Sequence, residues 1–178
     1  NSIDMMLAIN GIPIVAIELK NQLTGQSVDD AKKQWAYNRN PKEPVFAFNK
    51  RILAYFACDL YDVYMTTRLE GPKTNFLPFN QGSNGAGRDG GAGNPQNPTG
   101  GYVTSYFWEN VLRKDHLMDI LQKFISYERS EKKELLPDGS TNIKKSEKII
   151  FPRYHQLDVV RKLVDHVREN GAGHNYLI

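Results

Sequence analysis

Cysteine is almost missing from this chain: Cys58 is the only one among 178 residues. That excludes an internal disulfide and a thiolate metal cluster, and it suits a reducing, cytoplasmic setting. Long apolar runs are missing too. No stretch approaches the roughly 18 residues needed to cross a bilayer, and no secretory signal pattern is found, so a membrane partner is not expected. A strong charge of one sign is also absent. The net charge is +3, which permits nucleic-acid binding without requiring it. His116, His155, His166 and His174 show no metal-ligand spacing. No internal repeat is evident. With 40% hydrophobic and 24% charged residues, the composition is that of a globular protein with one sizeable domain, or one domain and part of another. The chain starts without Met in a strand pattern and stops on the apolar run Tyr176-Leu177-Ile178. A piece of a longer polypeptide is the expectation.

What is present begins with NSIDMMLAINGIPIVAIELKN. Ile3 to Ile9 and Pro13 to Lys20 are β-rich runs around Asn10-Gly11, a strong hairpin signal. Ser27 fits an N-cap, with Asp30 as its capping-box acid. The helix that follows should run to about Asn38, with Val28, Ala31 and Trp35 as its buried stripe. Pro41 and Pro44 end it. RILAYFAC (51–58) and YDVYMTTR (61–68) read as a second antiparallel pair, and Cys58 as a small buried residue in it. These elements predict an α/β fold: a mixed, mainly antiparallel sheet packed on the 27–38 helix.

Residues 81–101 are dominated by Gly, Asn, Gln and Pro and predict a flexible loop, having little apolar surface to offset the entropy of ordering. Gly85 to Gly90 matches dinucleotide-binding spacing, but no strand precedes it and no helix opens from it, so that reading is rejected. Residues 102–125 are helical in two pieces, divided near Lys114-Asp115, and Phe124 to Tyr127 suggest a short strand. Residues 128–148 are charged and turn-rich, with Pro137-Asp138-Gly139 as a turn and Glu131 to Glu134 as a solvated face. They read as a linker, closing a first domain over 1–127 and opening a truncated one over 149–178. Tyr154 to Asn170 is an amphipathic helix ended by Gly171 and Gly173. Its apolar positions Leu157, Val160, Leu163, Val164 and Val167 follow helical spacing.

The chemistry sits in the opening hairpin. Phosphodiester hydrolysis needs a cation to polarise phosphate and to acidify an attacking water. Magnesium prefers oxygen ligands, which Asp4 and Glu18 can supply. Lys20, two residues along the strand, projects from the same face as Glu18 and can stabilise developing charge. Register decides whether the acids meet. A plain two-residue turn would set Asp4 across from Ile17, on the wrong face. A longer connection or one bulge sets it across from Glu18, and this is the prediction. Gln34 and Tyr37, three apart on the following helix, share a face that can reach the site. The bland alternative is a solvated strand face beside core aromatics.

The order Asp, hairpin, Glu-x-Lys, then a helix with Gln and Tyr resembles the PD-(D/E)xK nuclease superfamily. More narrowly, NSIDMMLAINGIPIVAIELKNQ resembles the nuclease domain of the restriction (motor) subunit of Type I restriction–modification enzymes. SYFWENVLRKDHLMDILQKFI and KIIFPRYHQLDVVRKLV are similar to that family's stretch leading into its helicase domains. The resemblance implies a restriction-endonuclease-like core plus the start of a helicase-like domain. It implies Asp4, Glu18 and the Leu19 carbonyl as magnesium ligands and Lys20 as catalytic. Gln34 and Tyr37 would match the family's Gln-x-x-x-Tyr element. Here the spacing is one residue shorter, and Asn38 stands where Tyr is usual. Gln156 resembles the adenine-reading glutamine of superfamily 2 helicases, which implies ATP use in the parent. The implied partners are double-stranded DNA and the specificity and methyltransferase subunits of a restriction complex. Two other readings stay open: an end-processing exonuclease with the same core, and a catalytically silent DNA-binding or docking module.

Overall fold

A computed structural model describes residues 2–82, 92–135 and 141–177. Its centre is a five-stranded sheet in sequential order. The strands are β1 (Met5–Ile9), β2 (Ile12–Leu19), β3 (Ala54–Cys58), β4 (Val63–Thr66) and β5 (Leu77–Pro78). β2 and β3 run parallel; every other neighbouring pair is antiparallel. This is the expected α/β fold with a mixed, mainly antiparallel sheet.

The opening hairpin turns on Asn10 and Gly11, both at positive φ (49° and 80°). That is the conformation a tight two-residue turn requires, and it explains the Asn-Gly pair. The connection is therefore the short one. The register is then corrected inside the ladder, because Leu7 pairs with Val15 while Ala8 pairs with Pro13. Ile14 is the extra residue of a β-bulge, beside a proline that such irregular positions tolerate. Met5 pairs with Ile17, and the next step sets Asp4 opposite Glu18. The bulge predicted from the sequence is present.

Alternation along β2 then sorts the two cores. Val15 and Ile17 point into a cluster with Phe56, Val63, Met65, Phe79, Phe107 and Ile120. Ala16 points the other way, into a cluster with Val28, Ala31, Trp35, Phe46 and Tyr55. The second cluster belongs to α1 (Val28–Asn38), whose buried residues are Val28, Ala31 and Trp35, the stripe the spacing predicts. Trp35 packs edge-on to Tyr55 at 5.2 Å and donates its indole N–H to the Phe56 carbonyl at 2.9 Å. Ser27 and Asp30 form the capping box. Asp59, at the end of β3, is buried and accepts the Val28 N–H at 2.8 Å. Its other oxygen takes the N–H groups of Tyr61 and Asp62, both at 2.8 Å. One carboxylate thus caps α1 and shapes the β3–β4 turn. Cys58 is buried, and burial pushes its thiol up to about 12.

The other face of the sheet is covered by a π-helical turn (Phe107–Val111), by α2 (Lys114–Lys123) and by Phe151. Phe56 is the hub there, with Phe107 at 4.7 Å, Phe79 at 5.3 Å and Phe151 at 5.8 Å between ring centres. Within the loop expected over 81–101, residues 83–91, including the 85–90 motif, lie outside the described residues. In the described part, Asn94 accepts the Gln81 N–H and donates to the Tyr61 carbonyl. Asn97 donates to the Tyr102 carbonyl and to Ser105. These side chains bond backbone that no strand or helix satisfies.

The expectation of a short strand and then turn-rich chain over 128–148 needs correction. β6 (Ser126–Leu135) and β7 (Thr141–Ile150) form an antiparallel ribbon. Glu128 faces Lys148, Arg129 faces Glu147 and Glu131 faces Lys145, with ion pairs at 2.9, 3.9 and 3.6 Å. Opposite charges set directly across from each other support a strand pair that charge density alone does not reveal. Pro137-Asp138-Gly139 lies outside the described residues. α3 (Tyr154–Asn170) has the predicted bounds. It is tied to the sheet layer at its first turns, through Leu157 and through Tyr154 against Tyr106. Val160, Val164 and Val167 remain about two-fifths exposed (41, 42 and 38%). Among the described residues, no helix is long and apolar enough to cross a membrane.

Candidate active site

Glu18 is the next residue of β2 to point toward α1 after Ala16, because side chains alternate. It is 0% exposed. A carboxylate in that position needs hydrogen-bonding partners. Gln34, on α1, donates from Nε2 to Glu18 Oε2 at 2.7 Å. The other oxygen, Oε1, is held by Arg39 Nη2 in a buried ion pair. Gln34 also accepts from Lys20 Nζ at 2.6 Å. One amide therefore bridges the acid and the lysine, and the two bonds together fix which way it faces.

Asp4 lies just before β1, exposed at the mouth of the site. Its Oδ2 accepts the Leu19 N–H at 2.8 Å. The N–H and C=O of one strand residue point to the same side, so the Leu19 carbonyl also faces the Asp4 edge. Lys20 N–H, one residue on, turns the other way and donates to the Cys58 carbonyl at 2.8 Å. Burial raises the Glu18 pKa above the ordinary carboxylate value. Arg39 opposes that shift, and the neighbouring Asp4 carboxylate adds to it. Two acids facing each other across the hairpin are an arrangement that a cation relieves.

Of the residues expected from the sequence, Asp4, Glu18, Leu19, Lys20 and Gln34 are brought together. Tyr37 is not: its side chain is 69% exposed, and among the described residues it has no hydrogen bond to any of the other five. The buried stripe explains this. With Trp35 pointing into the core, a residue two positions on is turned toward solvent. Asn38, one turn beyond Gln34, lines a cavity of about 380 Å³ with Ile3, Met6, Arg39 and Phe46. Gln156 lies far along the chain at the start of α3, where its Oε1 accepts the Arg153 N–H at 3.0 Å. Among the described residues, no group of three or more His, Cys, Asp and Glu side chains is placed to hold a metal ion. Two carboxylates and a main-chain carbonyl are the oxygen donors at this site.

Arg39 is the residue sequence reasoning missed. It lies one position beyond α1, before the Asn40-Pro41 break, and nothing in its spacing announces a role. The available signal was indirect: a buried Glu18 needs a cation, and Arg39 is the arginine nearest the helix end.

A mixed sheet with two acids and a lysine on one face, read by a glutamine from the helix packed there, defines a restriction-endonuclease-like α/β core. Residues 1–74 match the family model described as the Type I restriction enzyme R protein N terminus. Over that segment the chain is similar to the N-terminal region of Type I restriction subunits, as the resemblance read from the sequence implies. Searches of curated proteins and of solved structures returned no match.

Proposed function

We propose that this chain is the nuclease portion of an ATP-dependent Type I restriction subunit and cuts double-stranded DNA endonucleolytically with magnesium. The observation that carries the reading is the convergence of Asp4, Glu18, Lys20 and Gln34 on one sheet face. The donor set fits magnesium: hard oxygens from two strands, with like charges facing one another. Asp4, Glu18 and the Leu19 carbonyl would hold the ion. A bound magnesium supplies a polarised phosphate and a water of lowered pKa. Lys20, steered by Gln34, presents a positive charge where the transition state gains a negative one. Gln34 keeps the acid and the lysine in fixed relation, so little reorganisation is needed on reaction.

The parent assembly follows from the family reading. DNA is the substrate, other subunits recognise sequence and methylate, and the setting is cytoplasmic. Residues 149–178 lead toward a helicase-like domain in which Gln156 reads the adenine of ATP.

Supercoiled circular DNA incubated with the protein and magnesium tests the reading. Nicked and linear products are expected. Asp4→Ala and Lys20→Ala should each lower the rate by about a hundredfold or more. Digestion of linear DNA alone would point to an exonuclease. Intact DNA binding with no cleavage under any divalent metal would point to a docking module instead.

A further inference from the structure

We infer that Arg39 is a positioning residue that sets the separation of the Asp4 and Glu18 carboxylates, and with it the strength and size preference of divalent-cation binding between them. This rests on the nuclease reading above.

The geometry is that of a clamp. A single nitrogen of Arg39, Nη2, bonds Glu18 Oε1 and also the carbonyl of Ser2, the latter at 2.5 Å. Glu18 belongs to β2. Ser2 lies two residues before Asp4, in chain that has not yet entered β1. Beyond the end of the ladder no strand pairing holds that segment. The Leu19 N–H anchors the Asp4 side chain, and Arg39 anchors the backbone leading to it. The same guanidinium therefore grips both acid-bearing segments.

Arg39 is itself enclosed by the fold. It is 5% exposed, and its guanidinium lies 5.7 Å from the centre of the Trp35 ring. Its Nε is buried with no partner among the described residues. A buried donor left unpaired is costly. The side chain is thus oriented for Ser2 and Glu18 rather than for its own full satisfaction. A simple counter-charge for Glu18 would not need the Ser2 bond. The two roles separate chemically. An ammonium can neutralise Glu18, but it is a freely rotating point charge on a flexible stem, whereas the planar guanidinium aims one nitrogen at both acceptors in a pre-organised direction.

Arg39→Lys tests the clamp, with Mn²⁺ as the probe in calorimetric titration of the whole 178-residue chain below its unfolding midpoint. Partners that orient metal ligands are worth about 10- to 100-fold in affinity. The variant should bind Mn²⁺ about tenfold more weakly and discriminate less between Mn²⁺ and the larger Ca²⁺. Binding within about twofold of the unsubstituted chain, with an unchanged Mn²⁺/Ca²⁺ ratio, would overturn the inference even if the melting temperature fell. If Arg39→Lys does not fold, a chain shortened to begin at position 3 serves instead. It loses the Ser2 carbonyl, keeps the buried ion pair, and should show the same weakening; unchanged affinity would again overturn the clamp. Asp4→Asn and Glu18→Gln keep the two failures apart. If these leave Mn²⁺ binding unaltered, the metal site itself is wrong and the clamp falls with it. If they abolish binding while Arg39→Lys does not weaken it, only the clamp fails.

Discussion

The α1 face of the sheet and the β6–β7 ribbon both carry many charged residues, yet they use them in opposite ways. Beneath α1, Glu18 and Arg39 are buried, and Asp59 is buried close by. Each is bonded to groups distant in the chain. Along the ribbon, Glu128, Glu131, Lys145 and Lys148 pair across strands while remaining about half exposed. The first set is desolvated and has few ways to be satisfied. The second can always turn to water. Charge therefore specifies a single geometry in one region and lends only weak, replaceable support to the other.

The sharpest way to break this comparison is Glu18→Ala. Arg39 would be left buried without its partner, and the domain should lose about 3–5 kcal/mol of stability in denaturant unfolding. A loss no greater than that of a ribbon mutant would mean the ion pair is better solvated than its burial indicates. Next in size, Leu157→Ala should cost about 2–4 kcal/mol, because Leu157 is the buried anchor of α3. Val164→Ala on the same helix should cost less than about 0.5 kcal/mol. Equal effects would show that the exposed valine row is covered in solution. Asp59→Ala removes the acceptor shared by α1 and the β3–β4 turn. It should cost about 1–2 kcal/mol and expose the Val28 amide to hydrogen exchange. The smallest effect belongs to Glu131→Ala on the ribbon, which should fall within about 0.5 kcal/mol of zero and vanish in high salt.

Periodic features were legible in the sequence. The α1 stripe of Val28, Ala31 and Trp35 repeats at helical spacing, and Asn10-Gly11 admits few turns. A change of register was legible as a requirement, since Asp4 and Glu18 share a face only with a longer turn or a bulge, although the residue supplying the bulge, Ile14, was not. The ribbon was missed because its signal is relational. Glu128 and Lys148 mean little until they are set opposite one another, and exposed strands carry no apolar alternation. The burial of Phe151 against Phe56 was missed for a similar reason, being a contact between segments nearly a hundred residues apart. Arg39 had neither period nor motif to mark it. Tyr37 had a plausible spacing, but the orientation of Trp35 turns it outward.

Ile14 gives the hairpin an unusual vulnerability. Most proteins lose activity by exchanging one side chain for another. Here the acid-bearing face depends on an odd count of residues between Asp4 and Glu18, set by the extra residue inside β2, so the gentlest disrupting change would be a deletion. Removing one residue near position 14 would leave every functional group in the polymer and rotate Asp4 to the far side, producing a chain of nearly unaltered composition with its teeth on the wrong edge of the blade.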